Sequence, residues 1–302
     1  MFNRAWFIKQ SRFSVFTVLI ALGVLPLAVF AQDQDQEMRI VSAGGSVTEI
    51  IFSLGMGEAV IATDTSSSFP SEVHNKVKVG YYRQLSSEGV LSLNPTHLFA
   101  AKGAGPADVL NQIKAVGVDT YVFEQTRSIK GLTKLISEIG DKLGRQAQAK
   151  TLNGELTQSL ALLPSLKRNA TPVFLMSASE RGIMAAGNNT VPHLLMEVLG
   201  IKNVFGQLNG FKPISSEALL QAQANLIFIP RHQTQGMSTQ QLCKTQALRL
   251  WSKIQGCHIE IVDSLLFLGL TPRLPEAARQ MLASIESHDT QAKSAPTIPS
   301  DE

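Results

Sequence analysis

Two stretches of this 302-residue chain repeat one another and decide its fold: SSEGVLSLNPTHLFAAK at residues 86–102 and SSEALLQAQANLIFIPR at residues 215–231. They are offset by 129 positions (215 minus 86). Each begins with a Ser-Ser-Glu helix start and continues into a short apolar run that ends in a cation, Lys102 or Arg231. The repeat therefore predicts one α/β design used twice along the chain.

The sequence around the repeat alternates short β-prone runs with amphipathic helices, which is typical of a parallel sheet covered by helices. It predicts two pseudo-symmetric α/β lobes with central parallel-type sheets, at residues 39–144 and 169–287, joined by a long linker helix at residues 145–168. Sheets of this class hold ligands beyond the carboxyl ends of their strands, so we expect one ligand in the cleft between the lobes. Strands are predicted at residues 39–42, 60–63, 97–101, 120–123, 172–177, 226–230 and 258–262.

Both ends of the chain differ from the lobes in composition. Residues 1–31 have a basic start, an apolar run and a small residue, Ala31, and read as a signal peptide cleaved after about Ala31. The alternative is a retained single-span anchor, which Pro26 in the apolar run disfavours. Residues 32–38 are expected to be flexible, and residues 288–302, rich in Ser, Thr, Pro and Asp, a disordered tail.

The charge balance excludes a polybasic nucleic-acid binder. The chain holds 27 Lys and Arg against 24 Asp and Glu. The first 31 residues contain three of these cations and no acid, which leaves 24 against 24 after cleavage. No nucleic-acid partner is expected, and any electrostatic recognition must be local.

The expected export of the chain decides how its two cysteines are interpreted. Cys243 and Cys257 lie 14 positions apart, and an oxidising compartment permits a disulfide between them. Two buried free thiols are the alternative. The six histidines are scattered along the chain, so a metal site built mainly from His is not expected.

Three groups of residues have the chemistry of a binding site or a docking surface. Lys102 and Arg231 follow equivalent predicted strands and suit an anionic ligand, with solvated surface charges as the alternative. Tyr81, Tyr82 and Arg83 form a second group, because a phenolate beside a guanidinium suits ferric iron; aromatic loop packing is the alternative.

The third group is one acid in each lobe, Glu88 and Glu217. Helix capping alone explains an acid at this position. A symmetric pair of acids also suits a partner with two basic pockets.

These features together resemble the periplasmic haem-binding proteins of ABC-type haemin uptake, within the wider group of cobalamin and siderophore carriers. The resemblance runs from Arg39 to about Ile285. Its most specific motif is VGYYRQLSSEGVLSLNP at residues 79–95, supported by RIVSAGGSVTE at 39–49, MAAG at 184–187 and GFKPISSEAL at 210–219.

The resemblance implies a periplasmic, monomeric carrier of haem b as its transported ligand. Tyr81 would be the iron ligand and Arg83 its hydrogen-bond partner. Tyr82 stands where other residues are common. Glu88 and Glu217 would dock on arginines of a membrane permease. An outer-membrane haem receptor system would be an indirect partner.

Two positions depart from the family pattern. The usual Gly-Pro-Arg near the C-terminus is here Thr271-Pro272-Arg273, so that loop is expected to differ. The strand end at residues 177–179 has no His, which leaves the second lobe without a clear iron ligand. The candidates by position are Arg231, His232, His193 and Met184, and we expect five-coordinate haem.

Two other functions are alternatives to haem transport. A ferric siderophore or cobalamin carrier keeps the fold and changes the ligand. An exported enzyme is not expected, because Gly44-Gly45-Ser46 is not a G-x-S-x-G elbow and no G-x-G-x-x-G follows a strand.

Overall fold

The computed structural model describes residues 37–165, 171–179 and 182–294. The expected signal peptide, most of the expected flexible N-terminus and the end of the expected linker helix lie outside these residues. Within them, no helix has both the length and the apolar character needed to cross a membrane.

The N-terminal lobe is an all-parallel five-stranded sheet with helices between its strands. The strand order is β3-β2-β1-β4-β5, so the chain begins at the centre and builds outward in both directions. The elements are β1 (Ile40–Ala43), α1 (Gly45–Ser53), β2 (Val60–Thr63), β3 (Val77–Lys78), α2 (Ser87–Leu91), β4 (His97–Ala101), α3 (Ala107–Ala115) and β5 (Asp119–Phe123).

Two helices, α4 (Ile129–Lys142) and α5 (Gln146–Ala161), follow the first sheet. The break between them falls at Gly144, whose φ of 65° lies in the left-handed region that favours glycine. They pack closely, because a side-chain carbon at Gly140 would lie 2.6 Å from Ala149. The α5 helix carries the chain to the second lobe, where the sequence predicts a linker helix.

The C-terminal lobe has a mixed sheet with the order β10-β9-β6-β7-β8. The strands β10, β9 and β6 run parallel, whereas β7 is antiparallel to both of its neighbours. The elements are β6 (Pro172–Ser179), β7 (Gly182–Ala186), α6 (Val191–Val198), β8 (Phe211–Ile214), α7 (Ser216–Gln221), β9 (Leu226–Pro230), α8 (Thr239–Lys244), α9 (Arg249–Gln255), β10 (Ile259–Val262), α10 (Ser264–Leu268) and α11 (Leu274–Ser294).

The two-lobed α/β fold class is thus confirmed, with one correction to the second sheet. The sequence predicts a parallel-type sheet there, but β7 and β8 add an antiparallel edge. Pro213 lies within β8, which is the edge strand of this sheet, where a missing N–H donor is tolerated.

The internal repeat is visible in the structure. The strands β4 and β9 span residues 97–101 and 226–230, an offset of 129 at both ends (226 minus 97, 230 minus 101). The helices α2 and α7 begin at residues 87 and 216, the same offset. Each buries one equivalent apolar residue, Val90 or Leu219.

The sequence predicts a disordered tail from His288 onward, but the structure is still helical at this residue. The helix α11 runs to Ser294, because His288 is buried and its ring packs edge-on against His258 at 4.6 Å between centroids. His288 continues a buried stripe along this helix at helical spacing. Residues 295–302 lie outside the described residues. The other members of the stripe are Leu274, Ala277, Ala278, Met281 and Ile285.

The two lobes share one hydrophobic core. Phe99 of the first sheet and Phe174 and Phe228 of the second belong to the same buried cluster, together with apolar residues of α4, α5 and α11. The lobes are therefore parts of one compact unit rather than independently packed domains.

Candidate functional site

The candidate site is built from the loops that follow the parallel strands of the N-terminal lobe. In a parallel sheet all carboxyl ends meet at one edge, so residues distant in sequence are brought together there. The loop after β3 carries Tyr81, and the 3₁₀ helix Tyr82–Gln84 follows it at once. Gly80, with a φ of 87°, makes the turn that sets the Tyr81 side chain outward.

Tyr81 is an accessible phenol held by a fixed backbone. Its side chain is 43% exposed, an unusual exposure for an aromatic residue in this chain. Its carbonyl accepts a bond from Gln84 N at 2.8 Å, and the neighbouring Gly80 carbonyl accepts one from Thr65 N at 2.8 Å. The backbone is thus tied on both sides, while the phenol is accessible to a ligand.

Tyr82 and Arg83 pack beside this phenol. The Tyr81 and Tyr82 rings meet edge to face at 4.9 Å between centroids, and the Arg83 guanidinium lies 5.0 Å from the Tyr82 ring centre. Burial raises the pKa of Tyr82; the Arg83 charge opposes this and the neighbouring Tyr81 adds to it. Burial lowers the pKa of Arg83, but hydrogen bonding and charge interactions with Tyr81 and Tyr82 outweigh it, so the pKa is raised.

A buried carboxylate, Asp64, organises the loops around the tyrosines. Its oxygens accept bonds from the Gly44 N–H at 2.9 Å, from the Tyr82 N–H at 3.4 Å and from the Ser67 hydroxyl at 2.7 Å. It also accepts from the backbone N–H and hydroxyl of Ser66, at 2.9 and 2.6 Å. One side chain therefore joins the loops that follow β1, β2 and β3.

The loop after β4 completes the same edge. Gly105 N donates to Tyr82 O at 3.0 Å, and a side-chain carbon at Gly103 would lie 2.9 Å from an Arg83 nitrogen. Gly103, at a φ of 85°, thus leaves the room in which the Arg83 guanidinium lies.

A second guanidinium, Arg127, belongs to the loop after β5 and was missed from the sequence. Burial lowers the pKa of Arg127; the charge interaction with Tyr82 opposes this shift and the Arg83 charge adds to it. Its side chain also donates to the Gln125 carbonyl. A cation at a strand end, the signal that selected Lys102, was present here as well.

The two cations predicted from the repeat differ in their surroundings. Lys102 follows β4 as expected, but its ammonium lies 2.7 Å from the Glu124 carboxylate, and both groups are exposed. Arg231 follows β9 and is exposed, with no ion pair to any residue that the structure describes. The freer cation of the predicted pair is therefore Arg231.

The facing edge of the C-terminal lobe contains a cavity of about 700 Å³. Its lining combines hydroxyl, amide and thioether side chains and comes from the second lobe alone. Met184, one of the four candidate iron ligands, lies on this wall. The lining residues include Ser177, Met184, Gln233, Gln235, Met237 and Thr245.

The two histidine candidates in the second lobe are engaged in local structure. His232 Nδ1 lies 2.7 Å from the Ser264 hydroxyl, and burial lowers the pKa of this imidazole. His193 lies 3.3 Å from the Glu197 carboxylate, one turn along α6, and 3.2 Å from Asn203. Among the described residues, no group of three or more His, Cys, Asp and Glu side chains is arranged to hold a metal ion.

The lobes meet beside the site through a buried ion pair. Glu49 of α1 is 1% exposed, and its carboxylate accepts a bond of 2.9 Å from Arg273, just before α11. The Arg273 guanidinium also lies 3.5 Å from the ring centre of Phe69. The loop Thr271-Pro272-Arg273 thus joins the two lobes.

Glu88 and Glu217 occupy matching positions in the first turns of α2 and α7. Both are exposed, and the preceding Ser86 and Ser215 hydroxyls cap their helices by accepting from Gly89 N at 3.3 Å and Ala218 N at 3.1 Å. The Glu217 backbone N–H and the Ser215 hydroxyl lower the pKa of the Glu217 carboxyl. The serines cap both helices, and both carboxylates remain exposed to solvent.

The structure contains a disulfide between Cys243 in α8 and Cys257 just beyond α9, with the Cα atoms 5.9 Å apart. It closes the α8–α9 segment, in which α8 packs against β10. The disulfide thus constrains that segment locally.

Two α/β lobes with their ligand-binding loops on facing edges define a substrate-binding protein of the two-lobed class. The chain matches the periplasmic binding protein family over residues 40–255, and it belongs to that family. The family resemblance inferred from the sequence is confirmed.

The chain is similar to solved structures of periplasmic heme-binding proteins. It superposes on the periplasmic heme-binding protein RhuT from Roseiflexus sp. RS-1 with a TM-score of 0.74 at 28% identity, covering 83% of this chain and 99% of that one. The periplasmic heme-binding protein HutB of Vibrio cholerae gives 0.75 at 27% identity, with 82% and 98% covered.

Among sequence relatives, the vitamin B12-binding protein of Vibrio parahaemolyticus is 26% identical over 256 residues, which are 82% of this chain and 90% of that protein. An uncharacterized ABC transporter substrate-binding lipoprotein of Bacillus subtilis, YvrC, is 25% identical over 257 residues, 82% of this chain and 79% of that protein. The two solved structures are thus named for heme, the Vibrio parahaemolyticus relative for vitamin B12, and YvrC for no particular ligand.

Proposed function

We propose that this protein is an exported, periplasmic carrier that binds haem between its lobes and delivers it to the permease of an ABC importer. The observation that carries the proposal is the accessible Tyr81 phenol, held by a fixed backbone beside Arg83. A phenolate is a hard oxygen ligand of a type known for haem iron. The likeness to two haem-binding proteins at 27–28% identity supports the same reading.

The residues around Tyr81 have the chemistry that ferric haem requires. Iron binding displaces the phenol proton, and a neighbouring guanidinium stabilises the resulting phenolate. Arg83 supplies that charge. Arg127 and Arg231 are the cations available to the two propionates, which guanidinium groups bind through paired hydrogen bonds.

Haem titration of residues 32–302 tests the ligand assignment. Phenolate coordination predicts a ferric high-spin absorption spectrum with a charge-transfer band. Tyr81→Phe should abolish that band and weaken haem binding about a hundredfold, since the only protein bond to iron is lost. Tyr121→Phe is the matched control, because Tyr121 lies on β5 within an aromatic cluster around Phe99. An unchanged spectrum in Tyr81→Phe would show the assignment to be wrong.

Cobalamin is the second candidate ligand, because the relatives named as vitamin B12-binding proteins align over most of this chain. The uncharged amide and hydroxyl groups of the second-lobe cavity suit a ligand rich in amides. Titration with cyanocobalamin in parallel with haem discriminates between the two. Uptake of the corrinoid without uptake of haem would decide for the second candidate.

A further inference from the structure

The outer face of α9 carries two exposed apolar side chains that form a pair. Leu250 is 47% exposed and Ile254 is 60% exposed. Residues four positions apart lie on the same face of a helix, so the two side chains form one continuous apolar surface. Isolated exposed leucines are ordinary, whereas a paired apolar face on a fixed element indicates an interaction surface.

This face is held in place by the adjacent, buried side of the same helix. Trp251 is 1% exposed, and its indole N–H donates to the Ala224 carbonyl at 2.6 Å. The disulfide Cys243–Cys257 closes the segment around α8 and α9. The α9 helix therefore cannot turn to bury Leu250 and Ile254 without breaking its own core contacts.

Exposed cations accompany the apolar pair. Arg249 and Lys253 lie together on one side of it on α9, and Lys244 ends α8; all three are exposed. Residues 218–259 contain four Lys and Arg and no Asp or Glu. In a chain with no net charge beyond its first 31 residues, this basic run is a local departure. A surface that pairs apolar residues with cations is complementary to an anionic lipid headgroup layer.

The position of α9 in the second lobe also favours contact with a membrane surface. It packs against α7, and the Ser216 hydroxyl at the start of α7 donates to the Ala247 carbonyl just before α9 at 3.3 Å. Glu217, the proposed permease contact, lies in that first turn of α7. This orientation rests on the docking proposal: if Glu217 meets the permease, α9 lies on the side of the protein that approaches the bilayer.

We propose that Leu250 and Ile254, with Lys244, Arg249 and Lys253, form a docking site for the surface of an anionic phospholipid bilayer. The apolar pair enters the headgroup layer and the three cations meet the lipid phosphates. The contact is peripheral and reversible, and it holds the carrier near the membrane in which its permease lies. We call these five residues the α9 patch.

Vesicle co-sedimentation of residues 32–302 tests the α9 patch without haem or permease. Wild-type protein should bind vesicles of phosphatidylglycerol at low ionic strength and should not bind vesicles of phosphatidylcholine. Leu250→Ser with Ile254→Ser should lower the partition coefficient about tenfold, because two apolar side chains no longer leave water. Val116→Ser with Leu162→Ser is the matched control, since both residues are exposed apolar side chains at the ends of other helices.

Each outcome decides the proposal. Binding that is lost in the α9 variant and kept in the control supports it. Absence of wild-type binding, or equal binding by the α9 variant, shows it to be wrong. If the wild type binds only vesicles that contain the permease, the surface contacts protein and the lipid proposal is also wrong. Haem binding is measured in the same variant. If Leu250→Ser with Ile254→Ser still binds haem, its loss of vesicle binding is independent of the proposed function.

Discussion

At the scale of single residues, the site depends on one carboxylate that does not face the ligand. Asp64 accepts five hydrogen bonds from the loops after β1, β2 and β3. The Lys78 ammonium lies nearby, bonded to Thr63 Oγ1 at 2.7 Å and to the Ser67 carbonyl. Burial lowers the pKa of Lys78, and the Asp64 charge opposes this. The position of the Tyr81 loop therefore depends on Asp64 and on the groups that are bonded around it.

Asp64→Ala should loosen this loop and destabilise the fold together. Several buried donors lose their acceptor, which costs about 3 kcal/mol of the free energy of unfolding. Urea denaturation measures the loss, and haem titration under native conditions should show weaker binding. Asp141→Ala is the control, because Asp141 is exposed on α4. Equal stability of the two variants would contradict the role given to Asp64.

Which site residues the sequence can predict depends on how their role arises. Tyr81 and Arg83 were found because the sequence motif around them is contiguous. Asp64 was missed, because its importance exists only after parallel pairing brings separate strand ends to one edge. Arg127 was missed although it follows a strand end, as Lys102 does, because it lies outside the internal repeat. Lys102 shows the opposite error: its position was predicted correctly, but the partner Glu124, on the neighbouring strand end, is visible only in the folded chain.

At the scale of elements, the repeat gives two helices with the same construction. In α2 and α7 a serine caps the helix, one apolar residue is buried and a glutamate faces solvent. Each capping serine satisfies one backbone donor of its helix, and both glutamates remain exposed to solvent. Their matched exposure supports the proposal that they contact a two-fold partner.

Glu88→Gln with Glu217→Gln should impair delivery and leave binding intact. The lowered pKa of Glu217 means that its carboxylate stays charged at neutral and mildly acidic pH, so the substitution removes a charge that is present under working conditions. Haem uptake by vesicles containing the cognate permease should fall about tenfold. Glu72→Gln with Glu155→Gln is the control, since both of these acids are exposed elsewhere. Unchanged uptake in the first variant would refute the docking role.

Element prediction succeeded where periodicity and length agree. The strands β2, β4 and β9 were predicted with their observed bounds, because each is a short apolar run ended by a turn signal. The β3 strand was missed because it has two residues. The β7 strand was missed because its residues, Gly-Ile-Met-Ala-Ala, lack β-branched or aromatic enrichment beyond one isoleucine. Its pairing with β6 and β8 is a tertiary contact that the local sequence does not specify.

At the scale of the whole molecule, the relation between the lobes is set by a few contacts beside the ligand-binding edges. A side-chain carbon at Gly45 would lie 2.6 Å from Leu265 of the opposite lobe, so only glycine permits that approach. The Glu49–Arg273 pair and the Arg273–Phe69 contact lie in the same region. With a shared core behind them, these contacts favour a carrier whose lobes move little on binding.

Removal of Arg273 should destabilise the protein in a pH-dependent way. Burial raises the pKa of Glu49, and the hydrogen bond and charge of Arg273 oppose that rise. Arg273→Ala leaves a buried carboxylate without its partner, which costs about 4 kcal/mol of the free energy of unfolding at neutral pH. The pKa of Glu49 in the folded variant is then raised further above its unfolded value. The destabilisation should therefore be small below the ordinary range near 4.5 and should grow as the pH rises.

Urea denaturation at pH 4.5 and pH 7 measures this dependence, with Arg279→Ala, on the exposed side of α11, as the control. The double variant Arg273→Met with Glu49→Leu should recover most of the lost stability, because an apolar pair of similar volume carries no desolvation cost. Haem binding by that double variant distinguishes an effect on stability from an effect on the spacing of the lobes. If the ion pair sets that spacing, the affinity for haem stays reduced although the stability is restored. Equal destabilisation by Arg273→Ala at both pH values would mean that Glu49 is not the group left unpaired.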